Sequence, residues 1–172
     1  MGEPLPDAAP VDVYVSAGSN VAPEDNLRLA CRELRRHFGR LELSGLYRNP
    51  PVGFAGDDFL NLVLRFRTAE PPTAIVGELE RLHTLAGRVR GGERFAPRTL
   101  DLDLLLYGTE VIADRGIRVP REDILKYGFV LGPLTELAPD LRHPVTGDTM
   151  AELWARFDQG RHPLERLGEL DF

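Results

Sequence analysis

Two stretches of two-residue alternation constrain the fold more than anything else in this chain. Between 59 and 67, Leu60, Leu62, Leu64 and Phe66 fall on one side, while Phe59, Asn61, Arg65 and Arg67 fall on the other. Between 100 and 104, Leu100, Leu102 and Leu104 share a side and leave Asp101 and Asp103 opposite. Successive side chains of an extended chain point to opposite faces, so both patterns predict strands with one apolar face to cover. Further strands are expected at 11–17 (VDVYVSA, closed by Gly18-Ser19-Asn20), near 41–47, from Leu100 on to Tyr107, and briefly at Val111-Ile112 after a Gly108-Thr109 turn.

The cover is helical. Pro23, Glu24 and Asp25 open one helix, with Leu27, Ala30, Cys31, Leu34 and Phe38 on its buried side and Gly39 at its end. Cys31 on that side reads as a core filler, not a nucleophile. A second helix follows Pro71-Pro72, buries Ile75, Val76, Leu79, Leu82 and Ala86, and stops at Gly87. Short helices and turns are expected from Pro120 on. Strands and helices mix without a regular βαβ alternation, which favours an α+β sandwich with helices on one sheet face.

Neither an internal repeat nor a linker divides the 172 residues. We expect a flexible acidic, proline-rich leader at 1–10, one domain over 11–157 and a dispensable C-terminal tail at 158–172. A net charge of -6 argues against a nucleic-acid binder that works through global positive charge. The single cysteine cannot form an internal disulfide, which suits a reducing compartment. The leader lacks the form of a signal peptide, and no stretch approaches the roughly 20 apolar residues of a membrane span. These features point to a cytoplasmic protein with no membrane or nucleic-acid partner. They do not set the oligomeric state, for which a monomer is favoured.

The chemistry concentrates between 88 and 103. Asp101 and Asp103 project from one strand face, roughly 6.5–7 Å apart along the backbone. That arrangement suits Mg²⁺, which takes one or two protein carboxylates and completes its shell with phosphate oxygens and water. An isolated Asp-x-Asp would read as a solvated acidic face. Here Arg88, Arg90, Arg94 and Arg98 crowd the preceding loop around Gly91-Gly92. Arginine forks pair with phosphate oxygens, and cations beside a two-carboxylate metal site are what phosphoryl transfer needs. A basic loop tied down by Glu80, Glu93 and the aspartates is the plainer alternative. The chain has no Gly-x-x-x-x-Gly-Lys-Ser/Thr loop and no protein-kinase motif set, so arginines and metal would have to hold a nucleotide.

The run Arg94-Phe95-Ala96-Pro97-Arg98-Thr99-Leu100-Asp101-Leu102-Asp103 resembles the signature of the 6-hydroxymethyl-7,8-dihydropterin pyrophosphokinases. Matching segments follow the same order: Ala17-Gly18-Ser19-Asn20, Tyr47 to Gly53, Phe59-Leu60-Asn61, Gly87 to Arg90, Gly128 to Leu131 with Pro133-Leu134, and His143-Pro144. The resemblance covers about residues 11 to 157. It implies a single-domain ferredoxin-like α/β sandwich, with a mainly antiparallel sheet and helices packed on it. It also implies transfer of the β,γ-diphosphate of ATP to the hydroxymethyl group of the pterin, with release of AMP.

On this resemblance Asp101 and Asp103 bind two Mg²⁺ ions, and Arg88 and Arg98 join them as catalytic residues. Arg88, Arg90, Arg94, Arg98, Glu80, Leu104 and Arg121 would hold ATP. Asn49, Pro50, Val52, Phe59, Asn61, Phe95 and Phe129 would hold the pterin, with Phe59 and Phe129 as its two faces and Asn61 on its edge.

Four positions depart from the family pattern. His83 stands for a glutamate, Arg121 for a histidine, Tyr127 for a basic residue and Phe95 for a tryptophan. His83 reads as a packed structural residue, and Arg121 as an added phosphate contact. The substitutions fall mainly on the nucleotide side. Two classes of function therefore stand: an active diphosphotransferase, or a non-catalytic paralogue that binds a pterin or nucleotide. A transferase acting on a related pterin is a further variant.

Overall fold

The alternating segments pair side by side into one antiparallel sheet. The computed structural model describes residues 9–53, 55–87 and 100–172. Its elements are β1 (Val11–Ser19), α1 (Pro23–Phe38), β2 (Glu42–Leu43), β3 (Leu46–Asn49), β4 (Phe59–Thr68), α2 (Pro72–Leu85), β5 (Asp101–Tyr107), β6 (Ile112–Asp114), β7 (Ile117–Val119), α3 (Asp123–Lys126), α4 (Gly128–Leu137), α5 (Met150–Arg156) and β8 (Glu165–Gly168). The sheet runs β5-β1-β4-β3-β8, with β2 also paired to β4, and β6-β7 form a separate ribbon. The single α+β domain and its antiparallel sheet are as expected.

The helices differ from expectation in one respect: they cover both faces. On one face α1 and α2 lay Leu27, Leu34, Ile75 and Leu82 over Val13, Val15, Leu62, Leu64 and Phe66. On the other, α3, α4 and α5 cover Tyr14, Val63, Leu105 and Leu106 with Ile124, Val130, Leu131, Leu134 and Met150. Each fully buried aliphatic or aromatic side chain contributes roughly 1.5–3 kcal/mol, so neither layer is incidental. The irregular mix of strands and helices favours one covered face, and Arg65 and Arg67 on the face of Val63 give no sign of the second layer. Arg65 is tolerated there because its guanidinium donates to the Tyr14 hydroxyl at 2.9 Å and pairs with Glu42.

The predicted 41–47 strand is two pieces, β2 and β3, both running along β4. Ser44 interrupts them: its N–H donates to the Val63 carbonyl and its hydroxyl accepts from the Val63 N–H. Residues 158–172 are corrected more strongly. The segment read as a tail supplies β8, which pairs with β3. Leu170 is buried, and Arg166 pairs with Glu136 on α4. Cys31 is fully buried, and burial pushes its thiol up to about 12, which fits a core filler.

Candidate active site

Strand register gathers the polar residues at one end of the α4-side face. Ser16 lies opposite Asp103 and Gly18 opposite Asp101 across β1 and β5. Gly18 also lies opposite Asn61 on β4, while Tyr47 pairs with Asn61 and Asn49 with Phe59 between β3 and β4. Two residues from Ser16 along β1, Tyr14 lies with Val63, Leu105 and Leu106 under α4. The same sheet face is thus roofed at one end and open at the other. The open end is a cleft of about 400 Å³ lined by Asp101, Asp103, Arg121, Asp123, Asn61 and Phe129, among others.

A register shift in β5 widens the roofed end. Tyr14 pairs with Leu106 but Val15 pairs with Leu104, so Leu105 is an extra residue. Before the bulge, Leu100, Leu102 and Leu104 face α1 and α2 while the aspartates face the cleft. After it, Leu105 and Leu106 both turn to α4. By plain alternation Leu105 already shares the face of Asp101 and Asp103; the bulge adds Leu106 to the α4 side and returns Tyr107 to the α1/α2 core.

The acidic pair sits in a charged cluster. Arg121 Nη2 lies 3.5 Å from Asp103 Oδ1, and its Nε lies 3.1 Å from Asp123 Oδ2. Burial raises the Asp103 carboxyl above the usual carboxylate range; Arg121 opposes this, and the charges of Asp101 and Asp123 add to it. Burial also weighs against the Arg121 charge, but Asp103 and Asp123 outweigh it and hold the guanidinium above its ordinary value. Several carboxylates facing one partly buried space are relieved by a cation. The donors are all oxygen, which fits Mg²⁺. Among the described residues no group of three or more His, Cys, Asp or Glu could by itself hold a metal. An ion held by Asp101 and Asp103 would therefore draw on substrate oxygens and water.

The opposite wall is aromatic and amide-lined. Tyr127 and Phe129, at the start of α4, stack at 5.0 Å, and Phe59 faces the same cleft from β4. The Asn61 amide donates to the Asn49 side-chain oxygen, and Asn49 donates to the Pro50 carbonyl at 3.0 Å. Gly18 is a requirement of this arrangement, because a Cβ there would overlap Asn61 Oδ1.

Most of the expected site residues that the structure describes converge here: Asp101, Asp103, Arg121, Asn49, Val52, Phe59, Asn61 and Phe129 all line the cleft. Pro50 lines a smaller adjoining pocket with Val52 and Phe129. The Leu104 side chain is packed in the α1/α2 core, on the sheet face away from the cleft. Glu80 is also outside the cleft lining, exposed on α2 with its carboxylate 3.4 Å from His83 Nδ1. Arg88, Arg90, Arg94, Phe95 and Arg98 lie outside the described residues.

Two departures acquire definite roles. His83 is buried, and its Nε2 accepts the Leu102 N–H at 2.8 Å, satisfying a backbone donor of the sheet's edge strand. Tyr127 lines the cleft and stacks on Phe129. Asp123 and Ser16 were missed. An acid in the first turn of a helix reads as a helix-start charge, and only its position two residues after Arg121 hinted at more.

A family model described as 7,8-dihydro-6-hydroxymethylpterin-pyrophosphokinase matches residues 14–139. The 2-amino-4-hydroxy-6-hydroxymethyldihydropteridine pyrophosphokinase of Haemophilus influenzae is 34% identical over 138 residues, covering 78% of this chain and 86% of the relative. Its counterpart in Pseudomonas aeruginosa is 37% identical over 147 residues, covering 83% and 90%. Among solved structures, wild-type Plasmodium falciparum HPPK-DHPS superposes with a TM-score of 0.74 at 11% identity, over 94% of this chain and 49% of that one. The likeness to that longer protein is one of fold, and this chain spans about half its length.

Proposed function

Since the chain belongs to the 7,8-dihydro-6-hydroxymethylpterin-pyrophosphokinase family, we propose that it transfers the β,γ-diphosphate of ATP to the hydroxymethyl group of 6-hydroxymethyl-7,8-dihydropterin, a step of folate biosynthesis. The hydroxymethyl oxygen attacks the β-phosphorus, the bond from that phosphorus to the α-phosphate's bridging oxygen breaks, the hydroxyl proton is released, and AMP leaves. The observation that carries this reading is the placement of Asp101 and Asp103 on one strand face, opening into a cleft whose other wall is Phe59, Asn61 and Phe129.

Each group has a task. Phe59 and Phe129 present faces to a flat heterocycle, and the Asn61 and Asn49 amides meet its hydrogen-bonding edge. Positioning both substrates makes the transfer effectively unimolecular. Asp101 and Asp103 hold two Mg²⁺ ions, whose charge, when bound, stabilises the attacking and leaving oxygens. Arg88, Arg90, Arg94 and Arg98 act on the phosphates, with Arg121 as an added partner beside Asp103. His83 and Tyr127 are accommodated without loss of the acidic pair, which favours turnover over a binding-only paralogue. The protein acts as a monomer in the cytoplasm.

Production of AMP from ATP is the test. Purified chain with Mg²⁺ and 6-hydroxymethyl-7,8-dihydropterin should yield AMP and the diphosphorylated pterin, and Asp103→Asn should abolish nearly all of it. Folded protein that releases no AMP would overturn the reading.

A further inference from the structure

We propose that Arg121 is a resident counter-cation that competes with the divalent metal for Asp103, so that metal and nucleotide bind cooperatively. The proposal rests on the metal-and-nucleotide reading above and adds to it how this chain orders the two events. Arg121 lies 3.5 Å from Asp103 Oδ1 and 3.1 Å from Asp123 Oδ2, bridging the acidic strand and the start of α3. Its backbone N–H donates to the Leu105 carbonyl at 2.9 Å, which fixes the main chain beside β5 and leaves the side chain to move.

The guanidinium meets each carboxylate through one nitrogen only, Nη2 towards Asp103 at 3.5 Å and Nε towards Asp123 at 3.1 Å, and the longer contact is the one to Asp103. A two-pronged arginine–carboxylate fork would be harder to displace. A divalent ion taking Asp103 must share that carboxylate with a guanidinium whose charge repels it. Metal binding is therefore opposed until Arg121 turns away. A triphosphate offers the fork a better-matched anion. Once the nucleotide takes Arg121, Asp103 is released to the metal. By linkage the coupling is reciprocal, so each ligand tightens the other. Asp123, at the far end of the bridge, draws Arg121 away from Asp103 and thereby favours the metal.

Mn²⁺ titration of the full chain, followed by electron paramagnetic resonance with and without a nonhydrolysable ATP analogue, tests this. Without nucleotide, Arg121→Gln should bind Mn²⁺ about fivefold more tightly than the parent, the worth of a partly exposed ion pair. The enhancement of Mn²⁺ binding by the analogue should shrink by a similar factor. Asp123→Asn should act in the opposite sense, weakening nucleotide-free Mn²⁺ binding in the parent background and doing so less when Arg121→Gln is present. Unchanged or weaker Mn²⁺ binding by Arg121→Gln would overturn the proposal, as would an equal effect of Asp123→Asn in both backgrounds. Failure of the underlying reading looks different: Asp103→Asn would then retain metal binding in the presence of the analogue.

Discussion

At the scale of single residues, the site depends on what is absent as much as on what is present. Gly18 lies across from both Asp101 and Asn61, and only the missing side chain lets the Asn61 amide lie over β1 and reach Asn49. Gly18→Ala should force Asn61 aside and break that amide pair. Losing a buried polar contact costs about 1–3 kcal/mol, so the KM for pterin should rise roughly tenfold or more. In steady-state kinetics kcat should stay within about twofold. Adding Asn61→Ala to the glycine variant should then cost little more; a full additional loss would show that Gly18 acts elsewhere. Asn61 and the acidic pair were legible from sequence because polar residues interrupting an apolar alternation stand out. The steric dependence of Asn61 on Gly18 was not, since it is a contact between strands more than 40 positions apart in sequence, a pairing that only register reveals.

Among elements, those whose apolar pattern repeats were the most legible. β1, β4, α1 and α2 match their expected ranges to within a residue or two because each buries a continuous stripe. β8 has no such stripe: Glu165, Arg166 and Leu167 are all exposed, and backbone pairing with β3 makes the strand. Its attachment also reaches the site. Gly128, which opens α4, lies against His162, where a Cβ would stand 2.6 Å from His162 Cβ, and its N–H points to His162 Nδ1 at 3.4 Å. The next residue is Phe129. Arg166 bonds Glu136 and holds that carboxyl below its usual range, tying β8 to the other end of α4. Ending the chain after Phe157 should therefore expose the edge of β3, uncover the site of Leu170 and loosen α4. Lost burial of Leu170 alone amounts to about 1.5–3 kcal/mol. At about 2–4 °C per kcal/mol for a domain of this size, the melting midpoint should fall by at least about 3 °C. A truncated protein that melts with the full chain would vindicate the reading of this segment as a tail.

For the molecule as a whole, the two helical layers have different duties even though one sheet separates them. The α1/α2 layer is a core and contributes none of the residues lining the cleft. The α3–α5 layer is both a core and the support of Tyr127 and Phe129, because α4 packs on Val63 through Val130, Leu131 and Leu134. Val13 and Val63 make a matched comparison. Both are fully buried valines on adjacent central strands, and they face opposite layers. Truncating either to alanine removes two carbon groups, at about 0.8 kcal/mol each, and leaves a small cavity that adds to the loss. Both variants should thus lose about 2 kcal/mol and melt roughly 4–8 °C lower. Only Val63→Ala should also raise the KM for pterin, by several-fold, since α4 settles into the cavity and carries Phe129 with it. Equal destabilisation with unequal kinetics is the result that separates a supporting layer from an inert one. If Val13→Ala raised the pterin KM as much as Val63→Ala, the aromatic wall would be answering to overall stability and not to the helix beneath it.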